Sequence, residues 1–132
     1  MATQMYLNMA VRDLERSKAF FTRLGFGFYA PYTDDKAACM VVGENIYVML
    51  LRETFFKSFT KKELCDTAKS IEVMVCLSCD SREKVDELLA KAVAGGGGVA
   101  RKAESQHSMY GGSFEDLDGH IWELLFIGQE QS

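Results

Sequence analysis

Two stretches of this chain carry the same succession of hydrophobic patterns, and a repeat of that kind restricts the fold to two copies of one unit. In the first copy Met5, Leu7, Met9 and Val11 alternate with Tyr6, Asn8 and Ala10, the period-two mark of a strand with unlike faces. Asp13 stands as an N-cap, and Leu14, Phe20, Phe21 and Leu24, spaced by Arg16, Lys18 and Arg23, describe an amphipathic helix that stops before Gly25. Strands are predicted over 26–30, 37–42 and 46–51, the last two joined by the turn Gly43-Glu44-Asn45. The order is therefore β, α, β, β, β.

The segment 52–69, with Phe55, Phe56 and Phe59 among polar residues, reads as a connector containing short helical pieces, and then the pattern restarts. Ile71, Val73, Val75 and Leu77 alternate with Glu72, Met74 and Cys76. Asp80 can cap the next helix, with Glu83 at the capping-box position. Val85, Leu88, Leu89 and Ala92 supply its apolar stripe, the run Gly95–Gly98 ends it, and strands are expected near 99–103, 109–114 and 121–127. The two closing hairpins can be laid together with Gly43-Glu44-Asn45-Ile46-Tyr47 against Asp118-Gly119-His120-Ile121-Trp122. In that alignment Val48 falls opposite Glu123. The expected organisation is one domain over 1–132, with module one at 1–52, a connector at 53–69 and module two at 70–128.

Composition excludes several classes of function. With 132 residues, 48% of them apolar, the chain fits one ordinary domain with its own core. A net charge of −4 and the absence of any Lys/Arg cluster argue against nucleic acid as a partner. Arg12 and Asp13 follow a short N-terminal apolar stretch, and no run approaches membrane-spanning length, so a cytoplasmic protein without a membrane partner is expected. The scattered Cys39, Cys65, Cys76 and Cys79 are unlike a disulfide scaffold and suit a reducing compartment. Cys76 and Cys79 have the spacing of a redox C-x-x-C motif, but they end a strand instead of starting a helix, so their sulfurs should diverge. The glycine run follows a helix, whereas a phosphate loop precedes one; a C-terminal cap and turn is its reading.

The run from Asn8 through Asp13-Leu14-Glu15-Arg16-Ser17 to Phe20-Phe21 and Leu24-Gly25-Phe26 resembles the opening strand and helix of the vicinal oxygen chelate superfamily, which includes glyoxalase I, bleomycin- and fosfomycin-resistance proteins and extradiol dioxygenases. Phe114-Glu115-Asp116-Leu117-Asp118-Gly119-His120-Ile121-Trp122-Glu123-Leu124 is similar to its closing turn and strand. The resemblance spans nearly the whole chain. It implies an α+β fold in which two βαβββ modules form a curved mixed sheet around a shared cavity, and a homodimer.

In metal-using members four strand positions supply His, Glu or Gln to one divalent ion. The resemblance puts these at Tyr6 or Asn8, Val48, Glu72 and Glu123, of which only the two glutamates are evident ligands. Val48 cannot coordinate a metal, and a phenol is a poor donor near neutral pH. Glu123, set between Trp122 and Leu124, needs a cation, hydrogen-bond donors or water beside it. Glu72 interrupts Ile71 and Val73 in the same way. These two carboxylates are the candidate catalytic groups and the candidate ligands for one divalent metal (Zn, Ni, Mn or Fe), if any is bound. Tyr6, Asn8, His107 and Tyr110 are candidate substrate contacts; His120 is expected in an exposed turn and Trp122 in packing.

Two functions follow from the resemblance. One is a glyoxalase-like lyase or isomerase, with Glu72 or Glu123 moving a proton of a small carbonyl-derived substrate. The other is a non-catalytic protein that binds a small antibiotic-like molecule, with Tyr6, Tyr29, Tyr32, Tyr47, Met74 and Tyr110 suited to its pocket. Extradiol chemistry is disfavoured, since neither histidine sits at a predicted ligand position.

Overall fold

The computed structural model describes residues 3–128; residues 1–2 of the expected first module and 129–132 of the expected domain lie outside the described residues. The chain divides into two units between Leu64 and Cys65. In the first, β1 (Met5–Val11) leads into α1 (Leu14–Arg23), followed by β2 (Gly27–Phe28), a 3-10 turn (Ala30–Tyr32), β3 (Ala37–Gly43), β4 (Ile46–Arg52) and α2 (Glu53–Lys57). In the second, β5 (Met74–Ser78) leads into α3 (Arg82–Ala94), then β6 (Gly98–Gln106), β7 (Met109–Glu115) and β8 (Ile121–Ile127).

Each unit solves the same connection problem. A strand that leaves through a helix can return parallel to itself, whereas strands joined by tight turns must run antiparallel. Hence the sheet orders β1-β4-β3-β2 and β5-β8-β7-β6, in which the last strand of each unit pairs parallel to the first and the others form an antiparallel meander. The expected mixed sheet of two βαβββ modules is present as two four-stranded sheets, one to each module.

One face of each sheet is covered by its own helix. Asp13 caps α1 as expected, accepting the Arg16 N–H at 3.1 Å, and Leu14, Phe20, Phe21 and Leu24 are buried with Met9, Val11, Met40, Val48 and Leu50. Phe20 and Phe21 meet edge to face at 5.0 Å. In the second unit Val85, Leu88, Leu89 and Ala92 of α3 are buried with Phe114, Trp122 and Leu124. Trp122 is fully buried, as its size led one to expect, and lies parallel to Phe114 with centroids 6.2 Å apart. Each such aromatic contributes about 1.5–3 kcal/mol through burial.

Three of the boundaries that differ from expectation have a visible reason. β2 is only two residues long because Pro31 has no N–H for a ladder and starts the 3-10 turn. β5 begins at Met74, not Ile71, because its partner β8 begins at Ile121, to which Met74 pairs; the chain before it has no strand to meet. Ser81, not Asp80, caps α3, accepting the Lys84 N–H at 3.1 Å. The glycine run ends α3, and Gly96 takes φ +105°, where a side chain is disfavoured. Among the described residues no helix is long and apolar enough to cross a membrane.

Candidate functional site

Residues paired across neighbouring strands share a face, so the registers say which side chains stand on the sheet faces that the helices leave open. On β8, Trp122 and Leu124 point toward α3, and Glu123 points the other way. Its partners there are Cys76 on β5 and Ser113 on β7, and Ser113 pairs in turn with Arg101 on β6. The Arg101 guanidinium stands 3.7 Å from the Glu123 carboxylate, both side chains partly exposed. Partial desolvation, then the Glu123 charge, push the Cys76 thiol up. Burial likewise pushes Cys79 up, so neither cysteine of the C-x-x-C pair is an activated thiolate.

In the N-terminal sheet the open face carries Tyr6, Asn8 and Ala10 of β1 beside Tyr47, Met49 and Leu51 of β4. Tyr6 and Tyr47 stack with centroids 4.9 Å apart and planes 13° apart. Partial burial, then the neighbouring phenols of Tyr32 and Tyr47, push the Tyr6 hydroxyl up.

Val48 is buried on the face that α1 covers, so the alignment that set it opposite Glu123 is one residue out. The left-handed residues of the two closing turns, Asn45 (φ +64°) and Gly119 (φ +88°), mark the true correspondence. Counting four residues on from each gives Met49 and Glu123. Counting back five from the N-caps Asp13 and Ser81 gives Asn8 and Cys76, which pair with those same two residues. The slip arose because the isoleucines were matched; in a strand one residue exchanges the faces.

The remaining expected site residues are dispersed. Glu72 is exposed at a bend two residues ahead of β5. His107 is exposed at φ +58° in the turn between β6 and β7. Tyr110 stands on the α3 side of β7, where its hydroxyl donates to the Asp86 carboxylate at 2.6 Å and its ring lies 5.0 Å from the Arg82 guanidinium. That hydrogen bond to a carboxylate is the main reason its phenol is pushed up. His120 belongs to the closing turn and is half-buried.

Two structural features escaped the sequence reading. Arg101 gave no signal, since only the β6–β7 register carries it to Glu123. Asp116 is buried and accepts the N–H groups of Asp118, His120 and the Trp122 indole. Burial pushes its carboxyl up, while the nearby His120 and these three donors pull it back. The Asp-x-Asp-Gly spacing before a buried Trp was the available clue.

This two-unit architecture, with each unit opening on β-α and closing with a strand parallel to its first, defines the vicinal oxygen chelate class of fold. Residues 3–43 match the family described as "Bleomycin resistance protein-like N-terminal". A hypothetical protein from S. aureus, SA1046, is 32% identical over 96% of this chain and 95% of its own, with a TM-score of 0.82. A glyoxalase/bleomycin resistance protein/dioxygenase family enzyme from Burkholderia phytofirmans PsJN is 16% identical over 96% and 99%, with a TM-score of 0.79. The fosfomycin resistance protein FosX from Listeria monocytogenes, solved with Mn(II) and sulfate, is 17% identical over 98% and 92%, with a TM-score of 0.68. No curated protein matches. The N-terminal stretch of the chain thus matches a bleomycin-resistance family model, and its fold is that of the glyoxalase/bleomycin resistance structures.

The residues present do not fit the divalent ion that some members of the superfamily use. Such an ion takes three or four donors. The positions that correspond between the units are Asn8, Met49, Cys76 and Glu123, only one of them a carboxylate, and Arg101 already offers that carboxylate a positive partner. Among the described residues no three His, Cys, Asp or Glu side chains gather as a metal site.

Proposed function

We propose that this chain is a small-molecule-binding protein of the resistance type that works without a metal. The observation that supports this most directly is the Glu123–Arg101 pair on the open face of the C-terminal sheet, flanked by Cys76. A partly exposed carboxylate and guanidinium side by side can anchor a polar ligand that carries both a donor and an acceptor, and the apolar side chains around them supply contact area. His107, in the β6–β7 turn of the same unit, is proposed as a secondary contact, and Tyr6 and Asn8 as ligand contacts on the open face of the N-terminal sheet. Glu72 is proposed as a rim group, and Tyr110 as an indirect one through α3.

A second reading keeps a glyoxalase-like lyase or isomerase, because Glu123 is a carboxylate at the middle of an open strand face and could take a proton from a bound carbonyl compound. The two readings separate in one experiment. Calorimetric titration of a small-molecule panel that includes bleomycin and fosfomycin, with EDTA present, is expected to find a ligand whose affinity falls about tenfold or more in Glu123→Gln and in Arg101→Ala. Binding or turnover that appears only on adding a divalent metal, and is lost in Glu123→Gln, would reject the metal-free reading in favour of the lyase. Binding indifferent to both substitutions would remove Glu123 from the site.

This reading includes a homodimer. On the first unit Met5 and Ile46 pair across β1 and β4 at 58% and 47% exposure, and on the second Ile71, Val73 and Met74 are 49–58% exposed, apolar surface that pairing of chains would cover. Sedimentation equilibrium is expected to give twice the mass of 14.8 kDa; a single-chain mass at micromolar concentration would reject pairing.

A further inference from the structure

We infer that the open face of the N-terminal sheet is a slot for a planar aromatic cation, bounded by Tyr6, Tyr47, Tyr29 and Tyr32 around the bare backbone of Gly27. The inference rests on the reading of the chain as a small-molecule binder and names a ligand class for it.

The slot follows from the registers. Tyr6, Tyr47, Val41 and Gly27 form one row across the four strands. The Tyr29 N–H donates to the Cys39 carbonyl at 2.8 Å, which continues the β2–β3 ladder and sets Tyr29 over the next row, on the same face as Val41. One wall is the stacked pair Tyr6 and Tyr47. The other is the edge-to-face pair Tyr29 and Tyr32, centroids 5.0 Å apart and planes at 85°. Between them the row ends in Gly27, and no atom lies within 4 Å of the point where its Cβ would stand. A flat ring can therefore lie over Val41 and the Gly27 backbone, with Tyr47 beside Val41 in the row and Tyr29 diagonal to it in the next.

Nothing in the core explains these rings. Tyr6, Tyr29 and Tyr32 are 40%, 45% and 55% exposed, although the sheet's helix-covered face supplies a complete packing surface for α1. The electrostatics select the ligand's charge. Aromatic faces carry negative π density and attract cations. No Lys or Arg stands in either row, and Lys36, near Tyr32 in sequence, is drawn off over the Phe55 ring at 5.8 Å. Asp34 and Asp35 follow Tyr32 and bias the neighbourhood further toward positive ligands. An anionic aromatic would find no compensating charge here.

The probe is proflavine, a planar cationic dye, titrated into the full chain and followed by fluorescence anisotropy and calorimetry. One dye per chain is expected. Tyr32→Leu, and the double change Tyr29→Leu with Tyr32→Leu, replace exposed rings that the core does not use; they are expected to weaken binding about threefold and at least tenfold. 9-Anthracenecarboxylate, flat but anionic, should not displace the dye. The inference is overturned if proflavine fails to bind, if the double variant binds it as tightly as the parent, or if the anthracene anion displaces it efficiently. Loss of proflavine binding with Glu123-dependent binding of another compound intact would remove this slot alone; absence of both would remove the binding reading with it.

Discussion

Asp116→Ala is expected to destabilise the C-terminal unit by about 3–5 kcal/mol, because it strands three N–H donors that one carboxylate now accepts. The Asp118 and His120 N–H groups donate to Oδ1 at 2.9 and 3.0 Å, and the Trp122 indole N–H donates to Oδ2 at 2.9 Å. Water can reach the two turn amides once the side chain is gone, but Trp122 is fully buried and its N–H loses the carboxylate that now accepts it. For a chain of this size the loss corresponds to a melting midpoint lower by roughly 10–20 °C. Asp116→Asn keeps an oxygen for the turn amides but presents an NH2 toward the indole, so about half the loss is expected. Thermal unfolding followed by circular dichroism gives the midpoints, and Trp122, the chain's one tryptophan, reports by its emission whether the ring has moved into water. An alanine variant melting within a few degrees of the parent would show that the carboxylate is not what fixes this turn.

The consequence reaches Glu123. It is the residue after Trp122, so the indole locked on one face of β8 is what holds the carboxylate on the other. A polar group buried at the turn thus acts on the open face without touching it. In sequence nothing singled out Asp116, since spacing alone does not distinguish a solvated Asp from one with three buried donors.

The fold itself was legible because period and punctuation agree. The alternation Met5–Val11, the stripe Leu14–Leu24 and the stop at Gly25 each specify the same β-α start, and the second half repeats them from Val75 to Gly95. What the pattern could not carry was register. Ile46 and Ile121 are both the first residue of a closing strand, yet Ile46 shares the face of Val48 and Leu50 under α1, whereas Ile121 shares the open face with Glu123. Apolar residues occupy both faces of β4, so composition gives no parity. The backbone does, through the positive φ at Asn45 and Gly119, and a sequence match made isoleucine to isoleucine placed Glu44, not Asn45, against Gly119 and missed it. The candidate site suffered accordingly. Glu123 emerged correctly as an unusual strand carboxylate, but its neighbours, Arg101 and Cys76, depend on hairpin pairing that no local signal encodes.

Gly119→Ala should be the second severe substitution, at about 2–4 kcal/mol, and it tests the same turn from its other side. Gly119 has φ +88°, a conformation costly for any residue with a Cβ, and that Cβ would stand 2.5 Å from the Thr67 carbonyl oxygen and 3.1 Å from its carbon. Neither atom belongs to a flexible side chain that can swing away. The strap at 65–70 must therefore retreat, which breaks the hydrogen bond that the Thr67 hydroxyl donates to the Asp118 carbonyl. Gly96→Ala is the internal comparison, with φ +105° but only the Leu117 Cδ2 methyl within 3.3 Å, so it bears the backbone cost of about 1–2 kcal/mol and little steric cost. Beyond its lower midpoint, Gly119→Ala should speed amide exchange and protease cleavage across 65–70, while Gly96→Ala leaves that segment protected. Equal losses in the two variants, with the strap protected in both, would mean that the close approach of Thr67 to the turn contributes nothing.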